Sequence, residues 1–173
     1  VLLAKDKKGY QNLVKLVSIA HIDGFYYKPR INHEILEKHH EGLIALSACI
    51  GGEIPRALLN DDYEKAKEKC LYFKNLFGRD FYLELQDHGL DGQKKINPEL
   101  IKLSKELDLE LIITNDSHYT KKEDAVCHDI LLCMQTGKTR NDPSRMRFSN
   151  NEFYIKNAQQ LRESFDWLDE ETF

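Results

Sequence analysis

Reactive side chains stand at three places where a βα architecture would collect them. Cys49 follows the apolar run 43–48, Asp87 and His88 follow the run 81–85, and Asp116 and His118 follow the run 111–114. In parallel βα folds, functional groups gather just beyond the carboxyl ends of strands, where the chain emerges at one face. Thiolate, carboxylate and imidazole at one rim suit a hydrolytic metal centre using Zn²⁺, Mn²⁺ or Fe²⁺. Asp116-x-His118 can aim both side chains the same way, because alternate residues of an extended segment share a face. A plainer reading stands beside each. Asp-x-His is also the pattern of an Asx turn with a solvated histidine, Cys49 that of a small buried hydrophobe, and Asp87-His88-Gly89 that of a polar turn.

The loop 137–148 carries Lys138, Arg140, Arg145 and Arg147 against one acid, Asp142. It reads either as a solvated surface or as a grip on nucleic-acid phosphates. The other cysteines read as packing. Cys70 shares helical spacing with Ala66, Phe73 and Phe77, while Cys127 and Cys133 fall about 240° apart on a helix and cannot share a metal. There is no CxxC pair and no signal peptide, which fits a reducing cytoplasm rather than a disulfide framework. His39-His40 closes a helix, where its placement near the negative dipole end is favourable.

The elements that must position these residues follow from the pattern. With 173 residues, 41% hydrophobic and 31% charged, the composition is that of one globular domain, and its net charge of −4 argues against a surface that is basic all over. No apolar run approaches the roughly 20 residues of a membrane span. Val1-Leu2-Leu3-Ala4 reads as the tail of a buried strand, so that the chain looks like a piece of something longer. A helix follows with Tyr10, Leu13, Val14, Val17 and Ala20 on its apolar stripe, and Asn32 caps a short one. The run 43–48 is a strand of the kind buried on both faces, and Gly51-Gly52 turns it into a helix. Asp62 caps a longer helix, which Gly78 closes. Residues 81–85 form the next strand, Asn97-Pro98 an N-cap with proline at the first helical position, and residues 111–114 another strand. After Tyr119 the pattern changes to a helix over 125–134 with Val126, Ile130, Cys133 and Met134 inward. A short strand at 153–155 and a last helix capped by Asn157 complete it. Strands alternating with helices predict an α/β fold of parallel βα units.

Several stretches resemble a known family. Leu2-Leu3-Ala4-Lys5, Gly9-Tyr10-Gln11-Asn12-Leu13, Gly42-Leu43-Ile44-Ala45-Leu46-Ser47-Ala48-Cys49 and Phe81-Tyr82-Leu83-Glu84-Leu85-Gln86 are similar to the alpha subunits of bacterial replicative DNA polymerase III. So are Thr114-Asn115-Asp116-Ser117-His118-Tyr119, Gln135-Thr136-Gly137-Lys138 and Asp142-Pro143 with Arg145-Met146. They occur in the family's order within its polymerase-and-histidinol-phosphatase (PHP) domain. The resemblance implies part of a distorted (β/α)7 PHP barrel, TIM-like and truncated at the N-terminus, with residues 1–136 as the C-terminal part of the barrel. Residues 137–173 then lead toward the polymerase palm.

Family metal ligands match Cys49, Asp116 and His118, whereas Asp87 and His88 match none. The remaining ligands, among them an N-terminal His-x-His, are not in this chain, and neither are the polymerase's Mg²⁺-binding aspartates. The resemblance therefore implies a cytoplasmic DNA-directed DNA polymerase as the parent. Its partners would be primer–template DNA, dNTPs, the sliding clamp, the clamp loader and other replisome subunits. Its PHP domain would be a metal-dependent phosphoesterase acting as a 3′→5′ proofreading exonuclease. The fragment alone is expected to bind metal weakly and not to turn over. Two other readings remain: a non-catalytic module that braces the polymerase and docks a proofreading subunit, and a stand-alone PHP phosphatase. The polymerase-like segment 135–148 argues against the last.

Overall fold

The computed structural model describes residues 1–173. Its elements are β1 (Leu2–Ala4), α1 (Lys7–Ile22), α2 (His33–Lys38), β2 (Leu43–Leu46), α3 (Glu53–Leu59), α4 (Tyr63–Phe77), β3 (Phe81–Leu85), α5 (Asp91–Leu107), β4 (Glu110–Ile113), α6 (Ala125–Thr136) and α7 (Ala158–Ser164). Contacts divide the chain into two units, Val1–Glu84 with Pro98–Ile112, and Leu85–Asn97 with Ile113–Phe173.

In the first unit capping side chains start the helices, at Asn32 and Asp62 as the sequence predicts and at Asp6, where no cap is expected. Asp6, Asn32 and Asp62 accept the N–H groups of Gly9, Ile35 and Lys65, satisfying donors that the first helical turn leaves without partners. Gly78 ends α4 at φ +59, a conformation glycine adopts without a Cβ penalty. The sheet runs β1-β2-β3-β4, and β2 and β3 are parallel, with Ala45 opposite Phe81 and Leu46 opposite Tyr82. Leu43, Ala45, Phe81, Leu83, Leu100 and Leu103 form its core.

Three expectations are corrected here. β1 is antiparallel to β2, and it is an exposed edge rather than a buried strand, with Val1 and Leu3 about half open to solvent. Two helices, α1 and α2, separate β1 from β2, whereas one crossover helix would return the chain parallel. Second, α1 turns Gly9, Asn12 and Leu16 inward and leaves Tyr10, Val14 and Val17 exposed. The reason is a backbone approach: a Cβ on Gly9 would lie 1.7 Å from the Gly42 carbonyl oxygen, and the Asn12 amide donates to the Glu41 carbonyl at 2.8 Å. Those two fixings, not the apolar stripe, set the helix face. Third, α5 begins at Asp91, well before Asn97, and encloses Pro98. Asn97 is no cap; it is buried and donates to the Gln86 carbonyl.

In the second unit, Asn157 and Gln160 form a reciprocal capping box at α7, as the cap predicts. The expected strand at 153–155 reduces to one bridge between Tyr119 and Tyr154. α6 buries Leu132 and Cys133, and Val126, Ile130 and Met134 are exposed. Asp129 lies on the buried side and is ion-paired, so a polar pin again outranks the apolar stripe. Phe153, Phe165 and Leu168 are the buried apolar residues beyond α6. No helix is long and apolar enough to cross a membrane.

Candidate functional site

Cys49 belongs to the first unit. Beyond β2, Ser47 donates its N–H to the Tyr82 carbonyl and its hydroxyl accepts the Glu84 N–H at 2.8 Å, so the strand stays in register to its end. Ala48 then adopts φ +67, a left-handed conformation that costs a non-glycine residue about 1 kcal/mol or more. That kink presents Cys49 on a turn closed by the Gly52 N–H to the Cys49 carbonyl at 2.8 Å. Gly52 is required there, since a Cβ would meet the Ser47 carbonyl at 2.3 Å. Alternation along β3 hides a residue that its spacing does not single out. Glu84 is a buried carboxylate.

Asp116 and His118 belong to the second unit and stand together. The His118 N–H donates to the Phe153 carbonyl at 2.8 Å, which fixes the backbone. The His118 Nδ1 lies 3.0 Å from the Asp116 carbonyl and 3.8 Å from its Oδ1. Donation from Nδ1 to that carbonyl leaves Nε2 with a free lone pair, the arrangement usual for a metal-binding histidine. Around the ring stands an aromatic column, His88 on Phe153 (4.5 Å), Phe153 on Phe148 (4.5 Å) and Phe148 on His128 (4.9 Å). His118 meets Phe148, Phe153 and His128 at steep angles, with centroids at 4.8, 5.7 and 5.7 Å. Burial lowers the His128 pKa, and the adjacent His118 lowers it further.

Behind this pair, Asn115 is saturated. Its Oδ1 accepts from His88 Nε2 at 3.1 Å and Lys156 Nζ at 3.4 Å, while its Nδ2 donates to the Ser117 hydroxyl and the Tyr154 carbonyl. His88 is buried, and Gln93 holds it twice, donating to Nδ1 and accepting from the backbone N–H. Its Nε2 therefore carries the proton, and burial holds its pKa below the ordinary histidine value. Asp87 forms an Asx turn with the Gly89 N–H and accepts from the Trp167 indole. Both residues are structural. Nothing in the sequence marked Asn115 or Phe153 as their partners, because each lies many residues away along the chain.

The structure thus joins Asp116 to His118 and places Cys49 in the other unit. Their donor chemistry suits a divalent transition metal. No group of three or more His, Cys, Asp or Glu side chains stands ready to hold an ion. The residues present fit part of a metal centre, and they do not fit a complete one.

The basic loop is anchored to α6. Arg145 is bidentate on Asp129, at 2.5 and 3.0 Å, with its side chain 6% exposed, and it holds the Asp129 carboxyl below the usual carboxylate range. Arg140 Nε stands 3.6 Å from the same carboxylate, and Lys138 pairs with Asp142 at 3.1 Å. Arg145 is therefore an internal brace. Arg145→Ala is expected to speed tryptic cleavage within residues 137–148 several-fold while leaving the global unfolding midpoint nearly unchanged, because only the loop opens. Limited proteolysis beside a urea melt checks it.

Comparison with known proteins adds an independent line. The PHP domain family profile matches residues 1–88. The chain is similar to the DNA polymerase III subunit alpha of Borreliella burgdorferi, 51% identical over 170 residues, which covers 98% of this chain and 15% of that protein. The same subunit of Treponema pallidum is 46% identical over 166 residues (95% and 14%), and that of Thermus aquaticus 46% over 172 residues (98% and 14%). The chain spans about one-seventh of the length of these curated relatives.

Proposed function

This chain belongs to the PHP domain family, and on that premise we propose that it is part of the alpha subunit of a bacterial replicative DNA polymerase. The observation that carries the reading is 51% identity over 98% of the chain to a DNA polymerase III subunit alpha. The parent is then a cytoplasmic DNA-directed DNA polymerase acting on primer–template DNA and dNTPs, assembled with a sliding clamp, a clamp loader and other replisome subunits. Residues 1–136 are the C-terminal part of a PHP barrel, and residues 137–173 lead toward the palm.

Within the parent, Cys49, Asp116 and His118 are proposed donors to a metal centre completed by residues outside this chain. A Zn²⁺, Mn²⁺ or Fe²⁺ held there would supply Lewis acidity for phosphodiester hydrolysis. The contribution of this chain is orientation. The Asp116 carbonyl selects the His118 tautomer, and Asn115 with His88 holds the turn that carries both donors.

The test is metal content and 3′→5′ exonuclease rate of the full-length protein with and without His118→Ala. The variant is expected to lose metal affinity and exonuclease rate by more than about 100-fold, with polymerase activity kept. An unchanged exonuclease rate overturns the catalytic reading. A stable, metal-free and polymerase-active wild-type protein would point instead to a bracing module.

A further inference from the structure

The second unit contains a cleft of about 480 Å³, lined among others by Lys122, His128, Asp129, Arg140, Arg145 and Arg147. We propose that this cleft is a phosphate subsite for a single DNA strand, with Arg140 and Arg147 as the residues that hold the phosphate. The inference rests on the nucleic-acid reading above and goes beyond it in naming the subsite and the group it takes.

Charge accounting selects the two arginines. The lining carries four cations, Lys122, Arg140, Arg145 and Arg147, against two anions, Glu123 and Asp129, in a chain whose net charge is −4. Arg145 and Asp129 neutralise each other through the bidentate pair. Lys122 is held by Glu152. Arg140 keeps only a long 3.6 Å contact to Asp129 and its side chain is 64% exposed. Arg147 lies near enough to lower the Asp129 pKa and forms no ion pair of its own. The cleft therefore offers two guanidinium groups to an anion, and guanidinium matches a phosphate in two parallel hydrogen bonds.

The walls are preorganised. Asp129 fixes the floor through Arg145, and the Asn150 amide donates to the His88 carbonyl at 2.7 Å, tying the end of the loop to the buried network. Phe148 is packed between His128 and Phe153 and so leaves no free face for a base. What the cleft can recognise is the backbone, not the sequence. Its volume, within the range of ordinary ligand sites, admits one phosphate with its sugar. His128 lines the cleft and its ring is 5.7 Å from that of His118. A strand held here therefore passes one ring away from the Asp116–His118 pair.

The experiment uses the 173-residue chain in EDTA, so that no metal contributes. Fluorescence anisotropy follows a labelled oligothymidylate, with inorganic pyrophosphate as the free-phosphate probe. Arg140→Ala with Arg147→Ala is expected to weaken oligonucleotide binding about tenfold or more and to reduce the salt slope by about one, for the one phosphate no longer held. Arg147→Lys keeps the charge and is expected to recover only part of the affinity. Lys7→Ala with Lys15→Ala, which removes two exposed cations of the first unit, controls for net charge. Equal weakening by the arginine double variant and by Lys7→Ala with Lys15→Ala overturns the proposal, as does failure of both probes to bind. Pyrophosphate binding as tightly as the oligonucleotide, and abolished in the arginine double variant, keeps the phosphate site but assigns it to free nucleotide phosphates. The nucleic-acid reading fails separately. Its failure shows as His118→Ala leaving exonuclease unchanged in the full-length protein, whatever the cleft variants do.

Discussion

Gly9→Ala lowers the stability of the folded chain by about 3 kcal/mol, at the upper end of overpacking effects. The added methyl would stand 1.7 Å from the Gly42 carbonyl oxygen and 2.5 Å from its carbonyl carbon. Both are backbone atoms and cannot step aside by changing rotamer. Relief requires α1 to lift away from the segment entering β2, and that would break the Asn12 to Glu41 bond and the Lys5 to Gly42 bond, at 2.8 and 2.9 Å. Gly42 is itself fixed at φ +75, so it cannot readily rotate out of the way. For a chain of this length, a loss of that size lowers Tm by roughly 6–12 °C. Gly51→Ala is the internal control, since its Cβ would find only the Cys49 Sγ at an ordinary 3.7 Å. Thermal or urea melts of both variants decide it, and equal midpoints would show that α1 is free to shift.

The close approach of Gly9 to Gly42 also shows what was legible in the sequence. Helix starts were legible because capping is local: Asn32, Asp62 and Asn157 bond to N–H groups three residues away. The run at β2 and its parallel pairing to β3 were legible because a short continuous apolar run between helices marks a parallel strand, although only Leu43 and Ala45 are buried in it and Ile44 and Leu46 stay partly exposed. The faces of α1 and α6 were not. In α1 two contacts, to Glu41 and to Gly42, fixed the rotation of the helix, and in α6 one, to Arg145. The tyrosine and valines that periodicity assigned to the core of α1 are left exposed. The start of α5 failed for the same reason: Asn97 has the chemistry of a cap, yet its amide is taken by Gln86.

At the candidate site, the Asp116–His118 pair was readable from its spacing because the two residues are neighbours in the chain. The Asn115–His88–Gln93 network behind them was not, because its members come from different segments. His88 looked like a candidate ligand only because sequence shows a residue's type and not its partners.

That network carries the second large effect. His88→Asn is expected to destabilise the chain by about 3 kcal/mol at neutral pH, because the shorter side chain abandons the stack on Phe153 and leaves Gln93 and Asn115 without the ring between them. The same residue imposes a pH dependence whose sign follows from its environment. Burial, with the Lys156 ammonium nearby, holds the folded pKa below the ordinary value of 6.5, and the Asn115 hydrogen bond offsets this only in part. Above that ordinary value the ring is neutral in both folded and unfolded chains, and its titration adds nothing to the pH dependence. As pH falls through it, the unfolded chain takes up a proton that the folded chain refuses. Stability then drops by up to about 1.4 kcal/mol per pH unit until the folded pKa is reached. The wild type should therefore lose more stability than His88→Asn between about pH 7.5 and about pH 5.5, since the variant has no ring to protonate at that position. His128 and the carboxylates titrate in both proteins and cancel in the difference. Urea midpoints at the two pH values supply the comparison. Parallel slopes would mean that His88 accepts its proton without leaving the network, and the buried neutral ring would no longer explain how the Asp116–His118 turn is held.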